Sequence, residues 1–209
     1  MKLKSGEIYH VYNRGNNRLR LFYDKENYYL FLSKMKQYLS PNCDILAYCL
    51  MPNHFHLLVH ANKKSAMLYR RSNITAEKLV ISKPKMTRFS KGLQLLLSSY
   101  AKAMNKRYTR SGSLFRQNTK WKKTSDELFS FDYSLSCFMY IHNNPVSAGL
   151  VQFPEEWEFS SFREYAGFNK NEPICNVQLC KTMLNLEKND IFNLSAKEIP
   201  TEVLKKIFK

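Results

Sequence analysis

The run MPNHFHLLVH, Met51 to His60, constrains this chain more than any other stretch, because it sets three of only five histidines into one short apolar segment. A β-strand sends successive side chains to opposite faces. His54, His56 and His60 therefore share one face while Phe55, Leu57 and Val59 share the other. Any one such histidine reads as a half-exposed strand residue. The pair His54 and His56 says more. Side chains two apart on a strand start about 6.5 to 7 Å from each other, and from there both rings can converge on one divalent ion through bonds of about 2 Å.

The neighbouring segments turn this strand into part of a pattern. GEIYHVYNRG reads as a first strand with Ile8, His10 and Tyr12 on one face, closed by a turn at Asn13-Arg14-Gly15. DKENYYLFLSKMKQYLS is an amphipathic helix opening at Asp24 or its neighbour, with Tyr28, Phe31, Leu32, Met35 and Leu39 at helical spacing. CDILAYCLMPN and HFHLLVHA then form a hairpin about Pro52-Asn53. A second helix is expected from about Thr87 to Tyr108, and RSGSLFRQNTKWKKT supplies a turn at Ser111-Gly112 and a last strand or extended loop. A third helix, with Ser125 as N-cap and Asp126 and Glu127 in its first turn, stops at Asn144-Pro145. WEFSSFREYAG follows as a short packing helix. The order β-α-β-β-α-β-α predicts an α+β fold, a ferredoxin-like split βαβ sheet with added helices. From about Phe168 the chain becomes less basic, so residues 1–167 are expected to form the main domain and 168–209 a C-terminal accessory segment of short helices.

Charge narrows the function. The chain carries 33 Lys and Arg against 17 Asp and Glu, a formal net charge of +16, which calls for a polyanionic partner. From Lys63 to Lys123 there are 17 basic residues and one acid, Glu77, interleaved with Tyr69, Phe89, Tyr100, Tyr108, Phe115 and Trp121. A groove that neutralises phosphates and stacks unpaired bases has this composition. No amphipathic basic anchor, secretory h-region or membrane-length apolar run is present, so we expect no membrane association and a cytoplasmic location. Five cysteines without a CxxC support neither a disulfide framework nor a zinc knuckle.

The third helix has two faces. Leu128, Phe131, Leu135, Phe138, Met139 and His142 make a core stripe, and Tyr133, Cys137, Tyr140 and Asn144 fall opposite, with Tyr140 and Asn144 one turn apart. Set against the face bearing His54 and His56, that second stripe would add an amide oxygen for a hard metal and a phenol able to act as a nucleophile.

These segments together resemble a known family. MPNHFHLLV is similar to the His-hydrophobic-His (HUH) motif, YIHNNPVSAGLV to the tyrosine helix, and GSLFRQNTKWKKT and EWEFSSFREYAG to the flanking segments of single-tyrosine transposases of the insertion-sequence 200 type, in the REP-associated tyrosine transposase branch. The resemblance spans about Gly6 to Gly167. It implies the HUH endonuclease fold and a metal-dependent single-stranded DNA endonuclease and strand-transferase. His54, His56 and the Asn144 amide would hold Mg2+ or Mn2+, and Tyr140 would attack the scissile phosphate to give a 5′-phosphotyrosine and a free 3′-OH. The expected partner is single-stranded or hairpin DNA. Arg14, Arg110, Arg116, Lys120, Lys122 and Lys123 are the candidate phosphate contacts, and the protein would act as a monomer or as a homodimer exchanging the tyrosine helix. Where relatives tend to show FQGRYKS, this chain reads FRQNTKWKKT, with Asn118 and Thr119 in place of Gly and Arg.

Tyr100 and Tyr108 are the rival tyrosines, and both read first as structure or DNA contact. His60 stands four positions beyond His56, and His10 would lie beside the histidine strand as a plain strand residue or an outer partner of the metal ligands. The competing function is a non-catalytic basic DNA- or RNA-binding module on the same fold.

Overall fold

The computed structural model of the chain describes residues 3–70, 86–124, 133–168, 172–186 and 190–195, with Lys197 and Ile199. The proposed N-cap Ser125, the first-turn acids Asp126 and Glu127, Leu128 and Phe131, and residues 71–85 of the basic stretch lie outside the described residues.

Four strands, β1 (Ile8–Arg14), β2 (Asp44–Met51), β3 (His54–His60) and β4 (Lys120–Lys123), form one antiparallel sheet in the order β2-β3-β1-β4. This is the ferredoxin-like arrangement that the element order predicts. Pairing of Tyr12 with His56 and Arg14 with His54 puts Ile8, His10, Tyr12 and Arg14 on the face that carries the histidines. Tyr9, Val11, Asn13, Phe55, Leu57 and Val59 point the other way.

That other face is covered by two helices, α1 (Lys25–Tyr38) and, after the single-turn α2 (Lys63–Ala66), the long α3 (Arg88–Arg107). Both open on side-chain caps, Asp24 accepting from Asn27 N and Thr87 accepting from Ser90 N. Their apolar stripes bury Phe31, Met35, Phe89, Leu96 and Tyr100 completely or nearly so. Phe31 is the hub, with ring centroids 5.3 Å from Phe55, 5.0 Å from Tyr100 and 5.4 Å from Phe22. The two helices approach closely because Gly92 faces Tyr38, where a Cβ would lie 2.3 Å from the Tyr38 carbonyl oxygen.

The histidine face is covered by α4 (Tyr133–Ser147), which packs on β2 and β3. It runs on through Pro145 rather than stopping at Asn144-Pro145. Pro145 falls near the end of the helix, where the hydrogen bond it forfeits is one of few remaining, and the last turn is closed by Ala148 N to Asn144 O and Leu150 N to Pro145 O. Phe138 and His142 pack on the short α5 (Phe162–Tyr165), which is bonded to the edge of β2, so α4 is buried on this side as well. Beyond it, α6 (Val177–Met183) follows Asn176, whose N–H donates to Ile45 O at 2.8 Å, and α7 (Asp190–Ser195) receives Asn143 Nδ2 on the Ser195 carbonyl. Cys175, Cys180, Leu184 and Ile191 join the apolar core.

Candidate active site on the histidine face

Tyr140 reaches the histidines of its own chain. Its ring meets His56 edge-on at 5.3 Å between centroids and His10 at 6.3 Å, and the rings of His54 and His56 stand nearly perpendicular, 5.0 Å apart. The Tyr-Asn stripe of α4 therefore opposes the His54-His56 pair, as the periodicity of both elements requires. Asn144 lies within reach of both ends, interacting with the His54 ring and with the Tyr140 hydroxyl.

Each imidazole of the pair is fixed through its Nδ1. His54 Nδ1–H donates to Asn53 Oδ1 at 2.6 Å, and His56 Nδ1 is 2.8 Å from His10 Nε2. With Nδ1 so engaged, the Nε2 nitrogen of each ring remains for a ligand, the arrangement in which outer hydrogen bonds select the tautomer of a metal-binding histidine. Burial depresses all three pKa values: His10 is lowered to about 3 by burial and by Lys122, His56 well below its ordinary value by burial and by His10 and His54, and His54 by burial, against the pull of Asn144. All are neutral at pH 7, as ligation demands.

Two imidazole nitrogens and an amide oxygen make a mixed donor set that could hold a divalent ion. Asn144 Nδ2 is buried, and its interaction with the Tyr140 oxygen falls short of a well-formed hydrogen bond, which leaves the amide undersatisfied beside the two rings. Among the described residues no group of three His, Cys, Asp or Glu side chains is placed to hold a metal ion.

Tyr140 itself is 9% exposed, and burial raises its pKa to about 12, opposed by the hydrogen bond to Asn144. The rival tyrosines are otherwise engaged: Tyr100 OH donates to Leu21 O at 2.7 Å on the far side of the sheet, and Tyr108 OH bonds Asp24 Oδ2 at 3.0 Å. His60 sits by Asp44, with Nδ1 3.0 Å from Oδ2.

The basic candidates divide. Arg14 is exposed at the His54 end of β1 and lowers the His54 pKa. Lys120 and Lys122 stand on the histidine face opposite Tyr12 and His10, with Lys122 Nζ 5.6 Å from the Tyr133 ring. Lys123 pairs with Glu7 at 3.1 Å, Arg116 donates its backbone N–H to Arg14 O, and Arg110 lies at the end of α3 beside Tyr23 OH.

Sequence reasoning passed over the loop after β1. Gly15 is required there, since a Cβ would fall 2.0 Å from Leu19 O, and Leu21 and Phe22 both donate to Pro52 O. The loop is thus tied to the β2–β3 turn and presents exposed Arg18 and Arg20 at the active-site end, with Asn17 and Arg18 at positive φ. The sequence signal was the NRGNNRLR run itself.

The fold is thus a β2-β3-β1-β4 sheet with a histidine pair on one face and the helix bearing Tyr140 over it. No family model and no curated protein matches the sequence. Among solved structures, one of a REP-associated tyrosine transposase bound to a REP hairpin shares the fold, with a TM-score of 0.55 at 15% identity over 83% of this chain and 87% of that one. A bacterial tRNA(His) guanylyltransferase-like protein in complex with GTP aligns more loosely, at a TM-score of 0.39 and 14% identity over 74% of this chain and 72% of that one. Among the described residues no helix is long and apolar enough to cross a membrane.

Proposed function

We propose that this chain is a metal-dependent single-stranded DNA endonuclease and strand-transferase, a transposase-type enzyme of the REP-associated HUH branch, acting on single-stranded or hairpin DNA through Tyr140. The observation that carries the reading is the meeting of Tyr140 and Asn144 with His54 and His56 on one sheet face. The shared fold and the +16 charge agree with it.

In this reading His54 and His56 hold Mg2+ or Mn2+ through Nε2 and Asn144 through its amide oxygen. When bound, the ion supplies Lewis-acid polarisation of a non-bridging oxygen of the scissile phosphate. Burial keeps the Tyr140 phenol protonated until substrate arrives, and the Asn144 hydrogen bond favours the phenolate as it forms. The Tyr140 oxygen bonds to phosphorus, the 3′-oxygen leaves and takes up a proton, and the ester is conserved as a 5′-phosphotyrosine. Attack by a 3′-OH on that ester reverses the step and joins strands without nucleotide hydrolysis. Arg14, beside His54, and Lys120 and Lys122, beside Tyr12 and His10, stand where an incoming phosphate backbone passes.

The test is to incubate the protein with end-labelled hairpin oligonucleotides and Mn2+ and to look for a covalent adduct by denaturing electrophoresis, beside Tyr140→Phe and His56→Ala. An adduct lost in both variants supports the assignment. Persistence in Tyr140→Phe overturns the nucleophile, and hairpin binding without any adduct favours a non-catalytic nucleic-acid-binding module.

A further inference from the structure

The sheet face away from Tyr140 is not wholly covered. Between the outer side of α3 and residues 113–121 runs a groove of about 720 Å³, and Trp121 forms part of its wall at the edge strand β4. Trp121 is 42% exposed, an unusual position for an indole, with its ring 5.7 Å from Tyr9. The opposite wall is the half-apolar side of α3, where Leu97, Ser98 and Ala101 leave room for a flat group.

The wall before β4 is pinned in place. Buried Asn13 donates from Nδ2 to Arg116 O at 3.1 Å and to Thr119 Oγ1 at 2.9 Å, and Arg116 N–H donates to Arg14 O at 3.0 Å. These bonds hold the exposed amides of Gln117 and Asn118 at the groove without using them. The charge of the groove is one-sided: residues 86–124 contain ten Lys and Arg and no acid, and Arg116 and Lys120 line the groove itself.

We propose that this groove takes unpaired bases of the DNA strand, stacked on Trp121, with Gln117 and Asn118 facing base edges and Arg116 on a flanking phosphate. An exposed aromatic beside cations is the composition of a single-strand stacking site, and side-chain amides supply both donors and acceptors to a base edge. The groove also connects with the catalytic face. Along β4, Lys120 and Lys122 reach the histidine face while Trp121 reaches the groove, so one strand passing round this sheet edge engages both. The inference rests on the DNA reading above and adds a second site to it, on the opposite face from the tyrosine.

The chain has two tryptophans, so Trp157→Phe in a Tyr140→Phe background leaves Trp121 as the sole indole. We would titrate that protein, in EDTA, with a hairpin oligodeoxynucleotide carrying an unpaired tail and with the same hairpin made blunt. The expected result is tryptophan quenching by the tailed oligonucleotide that saturates together with fluorescence anisotropy of the labelled DNA, and binding without quenching by the blunt one. Trp121→Ala should weaken tailed DNA about tenfold and leave blunt DNA unchanged. Ser98→Phe, which fills the groove from α3 and removes no charge, should do the same. Tight binding of tailed DNA with no quenching, and with full affinity in Ser98→Phe, overturns the groove while sparing the nuclease. Stronger quenching by an RNA tail of the same sequence overturns the DNA assignment of the groove. Failure to bind either oligonucleotide, with no adduct in the Tyr140 protein, overturns the DNA reading and this inference with it.

Discussion

The two faces of one sheet are built to different standards. Under α1 and α3, Phe22, Phe31, Phe55 and Tyr100 interlock with almost no exposure, Tyr100 OH has a carbonyl partner, and the orphaned polar atoms, Asn27 Nδ2 and Asn105 Oδ1, are scattered, one near the start of α1 and one near the end of α3. Around α4 the orphaned atoms cluster instead: His10 Nδ1, Tyr133 OH and His142 Nδ1 are buried without a hydrogen-bond partner within the protein. Each such atom costs on the order of 1–3 kcal/mol relative to a satisfied one. The lesson is a division of labour: close packing on one side supports an undersatisfied polar cluster on the other, and the undersatisfied side is where ligands have something to gain.

The sharpest break in the comparison is Tyr140→Phe, which should reduce the covalent DNA adduct to background while leaving the unfolding free energy within about 1 kcal/mol of the parent. Phe31→Ala should do the reverse, lowering unfolding free energy by about 3–5 kcal/mol in urea titrations through the cavity it opens. Any surviving folded Phe31→Ala protein should still form the adduct.

Acid should weaken the histidine face selectively. His10 and His142 have folded pKa values lowered to about 3, both by burial, so between pH 6.5 and about 3 the unfolded chain binds protons that the folded chain refuses. Stability must therefore fall as pH drops through that window, by on the order of 2–3 kcal/mol for each histidine at about pH 4.5. Denaturation at pH 7 and pH 4.5 reads it, and a flat profile removes the argument. His10→Gln should lower Mn2+ affinity about 10–100-fold by calorimetry, because the group that fixes the His56 ring is lost. The smallest effect is expected at the rim: Arg14→Ala should reduce the slope of log affinity against log salt by about 1 for hairpin DNA.

Much of this was legible in order and period. The alternation of HFH placed His54 and His56 on one face, helical spacing set Tyr140 above Asn144, and Asp24 marked the start of α1. What the sequence withheld was long-range. The element order did place His10 beside the histidine strand, but that its Nε2 meets His56 Nδ1 depends on the register of β1 against β3, which no local pattern encodes. Asn53 looked like turn chemistry alone until its side chain was seen to hold His54. Pro145 looked like a stop because the rule weighs the lost hydrogen bond and not the packing that keeps both sides of α4 buried.

Trp121 and its lysine neighbours serve opposite faces only because β4 pairs with β1 in one register. One residue inserted or deleted between Phe115 and Lys120 would slide the strand a single step and exchange the two sets, sending the indole toward the histidines and lysines into the groove. The length of that connection, more than the identity of its residues, governs what each side of the sheet can hold.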